Sequence, residues 1–398
     1  MTDPQVIPGT PPNCIRVPYV VGFTDNPTIS SEVYAGSGVL ISLDCHLVRP
    51  VGSESDTLIV FMHPVGGGMY LPIVRGLAAA GHHVLWANSR YRGLDAPLIM
   101  ERVACDLGEA ILDAKTRLGY SKILLAGMSG GGSVAMWYQA LAEAGKGISD
   151  TAAGDVYVVD PARMPAADAI VMLVTHVGRH TLITEWMDAS VRDEARPDDR
   201  DLGLNLYDPV NPNQPPYSAD FLATYTAAQL ERNRRITSWA KSKLEEILDS
   251  NDPHREFAFV VHGTAADPRW LDGTIDPSDR VPGTYYLGDP RLVNDGPAGL
   301  ARFCTLRSWI SQWSYDDARA DAEVEGANVS VPVLVLGATA DNCCTPSHSA
   351  RIYAGVGHER KQLHMVNGAM HFFNNPESTR YLDEAVSVIG DFIHSYLD

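Results

Sequence analysis

A serine between glycines is the feature of this sequence best suited to chemistry. Residues 127–131 read GMSGG, a G-x-S-x-G pattern that follows an apolar run at 123–126 and precedes a helix-like stretch at 133–144. A serine on a tight strand-to-helix turn has a strained backbone. Glycines two positions away on either side relieve the clashes and expose its hydroxyl. This context predicts that Ser129 is a nucleophile.

An aspartate and a histidine follow, each after a predicted strand. The apolar run at 331–336 leads to Asp341, and residues 368–373 (GAMHFF) place His371 in a short loop before the last predicted helix. A histidine can remove the Ser129 proton near neutral pH and later protonate the leaving group. A carboxylate can hold the imidazole in the right tautomer and stabilise the imidazolium. The pattern predicts that serine, histidine and aspartate act together.

A glycine-rich loop upstream could stabilise the oxyanion of such a reaction. Residues 57–62 (TLIVFM) read as a buried strand, and residues 63–68 (HPVGGG) follow it directly. Acyl transfer needs two N–H donors for the negative oxygen of the tetrahedral intermediate. We expect one donor at Gly130, the residue after the nucleophile. The second is expected in the loop, at Val65 or Gly66.

A second aspartate competes for the acidic role. An apolar run at 257–261 leads through Gly263 to Asp267, which imitates the context of Asp341. Asp341 is favoured because its strand is the last one before the histidine loop, whereas Asp267 stands before a proline in a region that breaks the core pattern.

Other histidines compete with His371 for the role of base. A lone histidine after a strand is more often hydrogen-bonded in the core, which is the interpretation for His63. His348 stands in a polar Ser-His-Ser stretch that predicts a surface position, and His364 lies on the short alternating run before the loop. His262 is a further alternative. Of these five, only His371 is predicted to lie in a loop, beside small residues and past the final strand.

The motifs HPVGGG, GMSGG, GATAD and GAMHFF, in this order, resemble those of the α/β-hydrolase family. Residues 88–93 (NSRYRG) are similar to the family's loop between the oxyanion strand and the nucleophile strand. The resemblance covers about residues 15–177 and 320–398. It implies a mostly parallel central sheet with helices on both faces, a serine–histidine–aspartate triad, and no cofactor or metal. The loop reads HPVGGG in place of the commoner HGGG, so the second oxyanion donor stays open.

The pattern along the chain agrees with an α/β fold that carries an insertion. Residues 14–55 read as short strands at an antiparallel edge, and from 57 to 177 strands alternate with helices, which predicts a parallel sheet. The pattern breaks at residue 178. A long helix is predicted over 218–248, with Ser218 as its N-cap. The predicted organisation is a first core part at 1–177, a cap at 178–315 and a second core part at 316–398.

Composition narrows the range of partners and compartments. The net charge of −18 argues against nucleic acid and anionic membranes, since both need a basic surface. No apolar stretch reaches membrane-spanning length, and the first residues lack a signal-peptide pattern. The six cysteines are expected to be reduced thiols of a cytoplasmic protein. Adjacent Cys343 and Cys344 lack accompanying metal-ligand spacing, so a packing role is predicted and no metal site.

These observations favour a serine hydrolase acting on a carboxylic ester or lactone through an acyl-enzyme. The same triad could serve a carbon–carbon bond hydrolase, an amidase or an acyltransferase, because the fold does not decide the bond that is cleaved. A catalytically silent binding protein is the alternative from another class. The expected partner is a small ester-like molecule, apolar or aromatic, that fits under the cap. A homodimer is left open.

Overall fold

The strands form around a core of short apolar runs. A computed structural model describes residues 7–26, 39–251 and 255–398; residues 27–38, part of the stretch with predicted short strands, lie outside it. The strands are β1 (Cys14–Thr24), β2 (Leu40–Pro50), β3 (Thr57–His63), β4 (His83–Asn88), β5 (Lys122–Met128), β6 (Ile148–Asp150), β7 (Val156–Val159), β8 (Ala169–Leu173), β9 (Ala258–Val260), β10 (Phe303–Thr305), β11 (Val333–Ala338) and β12 (Lys361–Val366).

The helices occupy most of the connections between these strands. Among those of the described residues, none combines the length and the hydropathy that a membrane crossing requires. The helices are α1 (Pro72–Ala79), α2 (Met100–Thr116), α3 (Gly131–Glu143), α4 (Arg179–Trp186), α5 (Ala219–Leu248), α6 (Pro290–Asn294), α7 (Leu306–Gln312), α8 (Ala322–Glu325), α9 (Pro346–Gly355) and α10 (Arg380–Tyr396).

Eight strands form the central sheet, in the order β1-β2-β4-β3-β5-β8-β11-β12. The six strands from β4 to β12 in this order are parallel to one another, whereas β2 is antiparallel both to β4 and to the edge strand β1. Parallel strands end at the same edge of a sheet, so the loops after β3, β5, β8, β11 and β12 meet there. These loops include every residue that the sequence nominated for catalysis.

Alternate residues of each central strand face opposite sides of the sheet and meet different helices. In β3, Leu58 and Val60 belong to a buried cluster with α2 and α3, whereas Ile59 and Phe61 belong to another with α1 and α10. Both faces are therefore covered, which explains why the strand sequences are apolar throughout and do not alternate. The sheet is a rigid support for the loops at its carboxyl edge.

The chain leaves the sheet between β8 and β11. Residues 174–332, called the inserted segment below, contain helices α4 to α8 and have apolar clusters of their own. Its longest helix, α5, has Ser218 as N-cap, as predicted: the Ser218 hydroxyl accepts a hydrogen bond from the Phe221 N–H at 3.2 Å. The helix α7 begins at Leu306, because the preceding residues 303–305 form β10 and pair with β9.

A buried cation ties the antiparallel edge to the rest of the core. Arg90, just after β4, donates from Nε to Asp106 Oδ1 in α2 at 2.9 Å, and from Nη1 to Asp25 Oδ2 beyond β1 at 2.6 Å. All three side chains are at most 3% exposed. Removing the cation leaves two uncompensated carboxylates in the core, which is costlier than losing a surface pair.

Arg90→Met should lower the free energy of unfolding by about 3–5 kcal/mol, because Asp25 and Asp106 lose their shared partner. The matched control is Arg92→Met, two residues along the same loop. Arg92 pairs with Asp44 at 2.9 Å, with half or more of both side chains exposed, so its loss should cost about 0–1 kcal/mol. Urea unfolding of both variants measures the difference. Equal losses would contradict a special role for the buried cation.

Candidate active site

Ser129 lies on a strained turn between β5 and α3. Its φ is +52°, in the left-handed region that residues with a side chain rarely adopt. The turn is tight enough that a Cβ at Gly127 would lie 2.5 Å from the Gly132 Cα, and a Cβ at Gly131 2.3 Å from the Met62 carbonyl oxygen. Glycine is therefore required on both sides of the serine. The backbone presents the Ser129 side chain at the carboxyl edge of the sheet, as predicted from G-x-S-x-G.

His371 and Asp341 form a buried hydrogen-bonded pair. His371 Nδ1 lies 2.8 Å from Asp341 Oδ2, and both residues are almost fully buried. The other carboxylate oxygen, Oδ1, accepts the N–H groups of Cys343 at 2.7 Å and Cys344 at 2.9 Å. The carboxylate is thus fixed on one side by backbone donors. The second carboxylate oxygen, Oδ2, contacts Nδ1 of His371, so Nε2 of the ring points away from the aspartate.

The surroundings of His371 favour its protonated form. Burial alone lowers the pKa of its imidazole, but the Asp341 carboxylate and the Cys343 sulfur outweigh this and raise the pKa well above its usual value. For Cys343, burial raises the pKa of the thiol. The hydrogen bond from Cys344 and the charge of His371 reverse this effect and lower the pKa to about 6. The two groups therefore support each other's charged forms.

The vicinal cysteines lie beside this pair. All six cysteines are free thiols, and the sulfurs of Cys343 and Cys344 are 3.9 Å apart. With His371 they place three potential metal-ligand atoms within 4.8 Å of one another. Burial raises the pKa of Cys344 well above its usual value, while a hydrogen bond with Ser129 acts in the opposite direction. A packing role, as the sequence suggested, understates this position, since the Cys343 sulfur raises the pKa of His371 and lines the same cavity as Ser129.

The loop after β3 uses most of its own N–H groups. The Val65 N–H donates to His63 Nδ1 at 3.3 Å, the Gly66 N–H to the His63 carbonyl at 2.8 Å, and the Gly67 N–H to Asn88 Oδ1 at 2.8 Å. The Gly130 N–H, in contrast, has no acceptor within the described residues. Of the expected oxyanion donors, Gly130 is therefore available as the structure stands, and Val65 holds the longest and most easily exchanged bond.

One cavity brings most of the nominated residues together. Its volume is about 360 Å³, and Ser129, Gly130, Val65, Gly66 and His371 all line it. Asp341 lies behind the histidine and is fully buried. A cavity of this size, with one wall from the sheet edge, has room for a small organic molecule.

Further lining residues were missed by the sequence analysis or given another role. Arg179 and His176 follow β8 and are 3% and 2% exposed, and Tyr286 comes from the inserted segment. His63, expected to be a core residue, also faces this space. Of the described lining residues, Arg179 alone carries a permanent charge. The sequence signal that could have identified Arg179 is its position a few residues beyond a strand of the parallel sheet, where functional groups gather.

The competing candidates have other partners. Asp267 caps a short 3₁₀ turn and pairs with Arg269 at 2.6 Å, so it serves the inserted segment. His364 is exposed and contacts Glu384. The surface position predicted for His348 is wrong: its side chain is buried, and its Nε2 lies 3.1 Å from Glu185 Oε2. The polar neighbours of His348 in sequence lie on the helix α9, which packs its histidine face inward.

Comparison with known proteins defines the fold. No protein-family model and no curated protein matches the sequence. The structure is similar to the siderophore hydrolase EstB from Aspergillus fumigatus, with 12% identity and a TM-score of 0.51 over 94% of this chain and 98% of that chain. A hypothetical protein from Pseudomonas aeruginosa has the same identity and TM-score over 94% of each chain. Together with the sheet order, this confirms the predicted α/β-hydrolase fold.

Gly131→Ala should destabilise the protein by about 1–3 kcal/mol, because its methyl group would meet the backbone oxygen of Met62 and force α3 away from β3. Gly22→Ala is the matched control, since a Cβ at this position of β1 meets no atom of the described chain within 4 Å. Thermal and urea unfolding of the two variants provide the test. An unchanged stability for Gly131→Ala would show that the turn is not sterically determined.

Proposed function

We propose that this protein is a serine hydrolase that cleaves a carboxylic ester or lactone, with Ser129 as nucleophile, His371 as base and Asp341 as the orienting acid. The observation that carries the proposal is the buried 2.8 Å contact between His371 Nδ1 and Asp341 Oδ2, whose histidine shares a cavity with a serine on a strained turn. A buried carboxylate that holds Nδ1 of a histidine and turns its Nε2 away is the arrangement needed to activate a hydroxyl.

The reaction divides into two acyl transfers. Ser129 Oγ attacks the carbonyl carbon while its proton passes to His371 Nε2, and Asp341 stabilises the imidazolium through Nδ1. The intermediate collapses when His371 returns the proton to the departing alkoxide, which leaves an acyl-enzyme. A water molecule then attacks the acyl carbon, His371 takes its proton, and the acid leaves as Ser129 regains its own. Apart from the substrate and this water molecule, the proposed steps use only groups of the chain.

The developing oxyanion would be bound by backbone N–H groups. Gly130 supplies one that has no competing acceptor in the described residues. Val65 would supply the second by exchanging its 3.3 Å bond to His63 for the stronger one to a negative oxygen; Gly66 would first have to give up a 2.8 Å bond. The helix α3 begins at Gly131, so its positive end adds to the field at this position.

Residues 178–315 would act as a cap over this site. Leu182, Tyr286 and Leu300 of the inserted segment line the same cavity as Ser129. Apolar walls from a separate unit exclude water during the first acyl transfer and select the substrate by shape. They support the expectation of a small substrate with an apolar or aromatic body.

A fluorophosphonate probe should label Ser129 of the purified protein, since such probes react with an activated serine and need no knowledge of the substrate. Labelling of His371→Ala should be at least about 100-fold slower, because the base that removes the proton is absent. His364→Ala, an exposed histidine outside the cavity, is the control and should label at the normal rate. Mass spectrometry locates the adduct. A folded protein that does not react, or reacts at another serine, would contradict the proposal.

The rate of labelling should rise with pH, and the midpoint of this rise should lie above the pKa of free histidine, which is about 6.5. Only neutral His371 can accept the proton, and Asp341 and Cys343 raise its pKa. Cys343→Ala removes one of these effects, so the pKa should fall and the rising limb should move to lower pH. Cys105→Ala removes a buried thiol of α2 that is remote from the site and serves as control. A midpoint that is the same in all three proteins would show that Cys343 does not influence the base.

A further inference from the structure

Three side-chain nitrogens converge on Gly130 at the wall of the cavity that contains Ser129. A Cβ at this glycine would lie 3.0 Å from His63 Nε2, 3.2 Å from Arg179 Nη1 and 3.6 Å from His176 Nε2. The backbone of Gly130 does not require glycine, because its φ of −62° and ψ of −11° suit any residue. The missing side chain therefore lets three potential donors approach the Gly130 backbone, and their residues face the same cavity as Ser129. Gly130 also offers its N–H to the oxyanion.

The protonation of His63 makes it a donor toward this space. Burial, Arg179 and His371 lower the pKa of His63 to about 3, so its imidazole is neutral. Its Nδ1 accepts the Val65 N–H, which places the ring proton on Nε2. His176 is also neutral, because burial, with the nearby histidines and Arg179, holds its pKa well below the usual range. Neither imidazole therefore carries a negative charge that would repel a bound anion.

Arg179 supplies the positive charge and lacks a full set of partners. Its side chain is 4% exposed, yet Nε and Nη2 have no hydrogen-bond partner within the described residues. Asp95 Oδ2 lies 3.7 Å from Nη2, beyond hydrogen-bond distance, and the guanidinium rests on the Trp313 ring at 4.2 Å. A buried guanidinium normally forms hydrogen bonds to an anion, often in a bidentate pair. Asp95 therefore balances the charge of Arg179 in part but leaves Nε and Nη2 without a hydrogen-bond acceptor.

We infer that the space bounded by Gly130, His63, His176 and Arg179, called the anion subsite below, binds a carboxylate carried by the substrate. The inference rests on the proposed hydrolase function and names its substrate class: esters whose skeleton bears a carboxylate close to the scissile carbonyl. The anion subsite borders Gly130, whose N–H is also the expected oxyanion donor. The substrate carboxylate and the developing oxyanion must therefore lie near each other. The apolar walls of the inserted segment then hold the rest of the molecule.

Two phosphonate probes of matched shape separate this role from others. One is a fluorophosphonate with a short carboxyalkyl chain. The other carries a primary amide in place of the carboxylate, so it is neutral and contains no carboxylic ester. We expect the wild-type protein to react faster with the anionic probe by about 10- to 100-fold, the effect of hydrogen bonds to a charged group. The ratio of the two labelling rates is the measured quantity, because it cancels general changes in the reactivity of Ser129.

Two variants remove the subsite in different ways. Arg179→Met removes the charge and should reduce the ratio by about 10-fold or more, while Arg179→Lys should restore part of it. Gly130→Ala fills the space with a methyl group and keeps the N–H, so it should reduce the ratio even if Arg179→Met does not fold. Arg234→Met removes an exposed arginine that pairs with Asp316 on the inserted segment and should leave the ratio unchanged.

The outcomes distinguish the inference from its alternatives. If Arg179→Met and Gly130→Ala slow both probes equally, Arg179 supports the oxyanion or the packing, and the substrate-carboxylate role is wrong. If the wild-type protein shows no preference for the anionic probe, the inference also fails. If acetate or inorganic phosphate speeds labelling by the neutral probe, the subsite serves a free anion, which likewise overturns it. Failure of both probes to label folded protein would instead contradict the proposed hydrolase function.

Discussion

The steric contact between the start of α3 and the strands β3 and β5 is the constraint on which the site depends. The Cα of Gly131 lies against the Met62 carbonyl, and Gly127 lies against Gly132, so these positions cannot carry a side chain. This close approach forces Ser129 into a left-handed backbone and brings its neighbour Gly130 next to the loop that follows β3. The strain is maintained by the parallel sheet, whose apolar strands are buried on both faces.

Electrostatics within the site differs from that of the whole molecule. The protein has a net charge of −18, yet among the described residues that line the cavity beside Ser129 none is a carboxylate and Arg179 alone carries a permanent charge. The single nearby carboxylate that matters for the proposed chemistry, Asp341, is buried behind His371 with one oxygen held by two backbone N–H groups. A carboxylate fixed in this way acts on the ring of the histidine and stays out of contact with a bound molecule.

The inserted segment supplies side chains to the candidate active site. Arg179 is the first residue of α4, and its guanidinium rests on Trp313 just after α7. The position of the cation therefore depends on how the inserted segment folds onto the sheet. Tyr286 contributes from a third part of the same segment, where it contacts His371 with ring centroids 6.0 Å apart. Side chains of the inserted segment and the proposed catalytic groups thus come from different parts of the chain that meet at one cavity.

The sequence alone determined the class of fold and the identity of the groups nominated for chemistry. Local constraints explain this: a strand must be apolar to be buried, and the turn at Ser129 must have glycines to avoid clashes. Both requirements act over a few neighbouring residues, so they are visible in the order of residue types. The sequence distinguishes Asp341 from Asp267 less clearly, because both aspartates follow an apolar run.

Only the tertiary structure decided which distant side chains meet. It paired His371 with Asp341, placed Asp267 with Arg269, buried His348, and brought His63, His176 and Arg179 around Gly130. Apart from the Asp267–Arg269 pair, these contacts join residues far apart in the chain, and their distances depend on how helices pack against the sheet. Residue type and spacing carry no record of such packing, so the charge and the partners of the cavity could be read only from the folded chain.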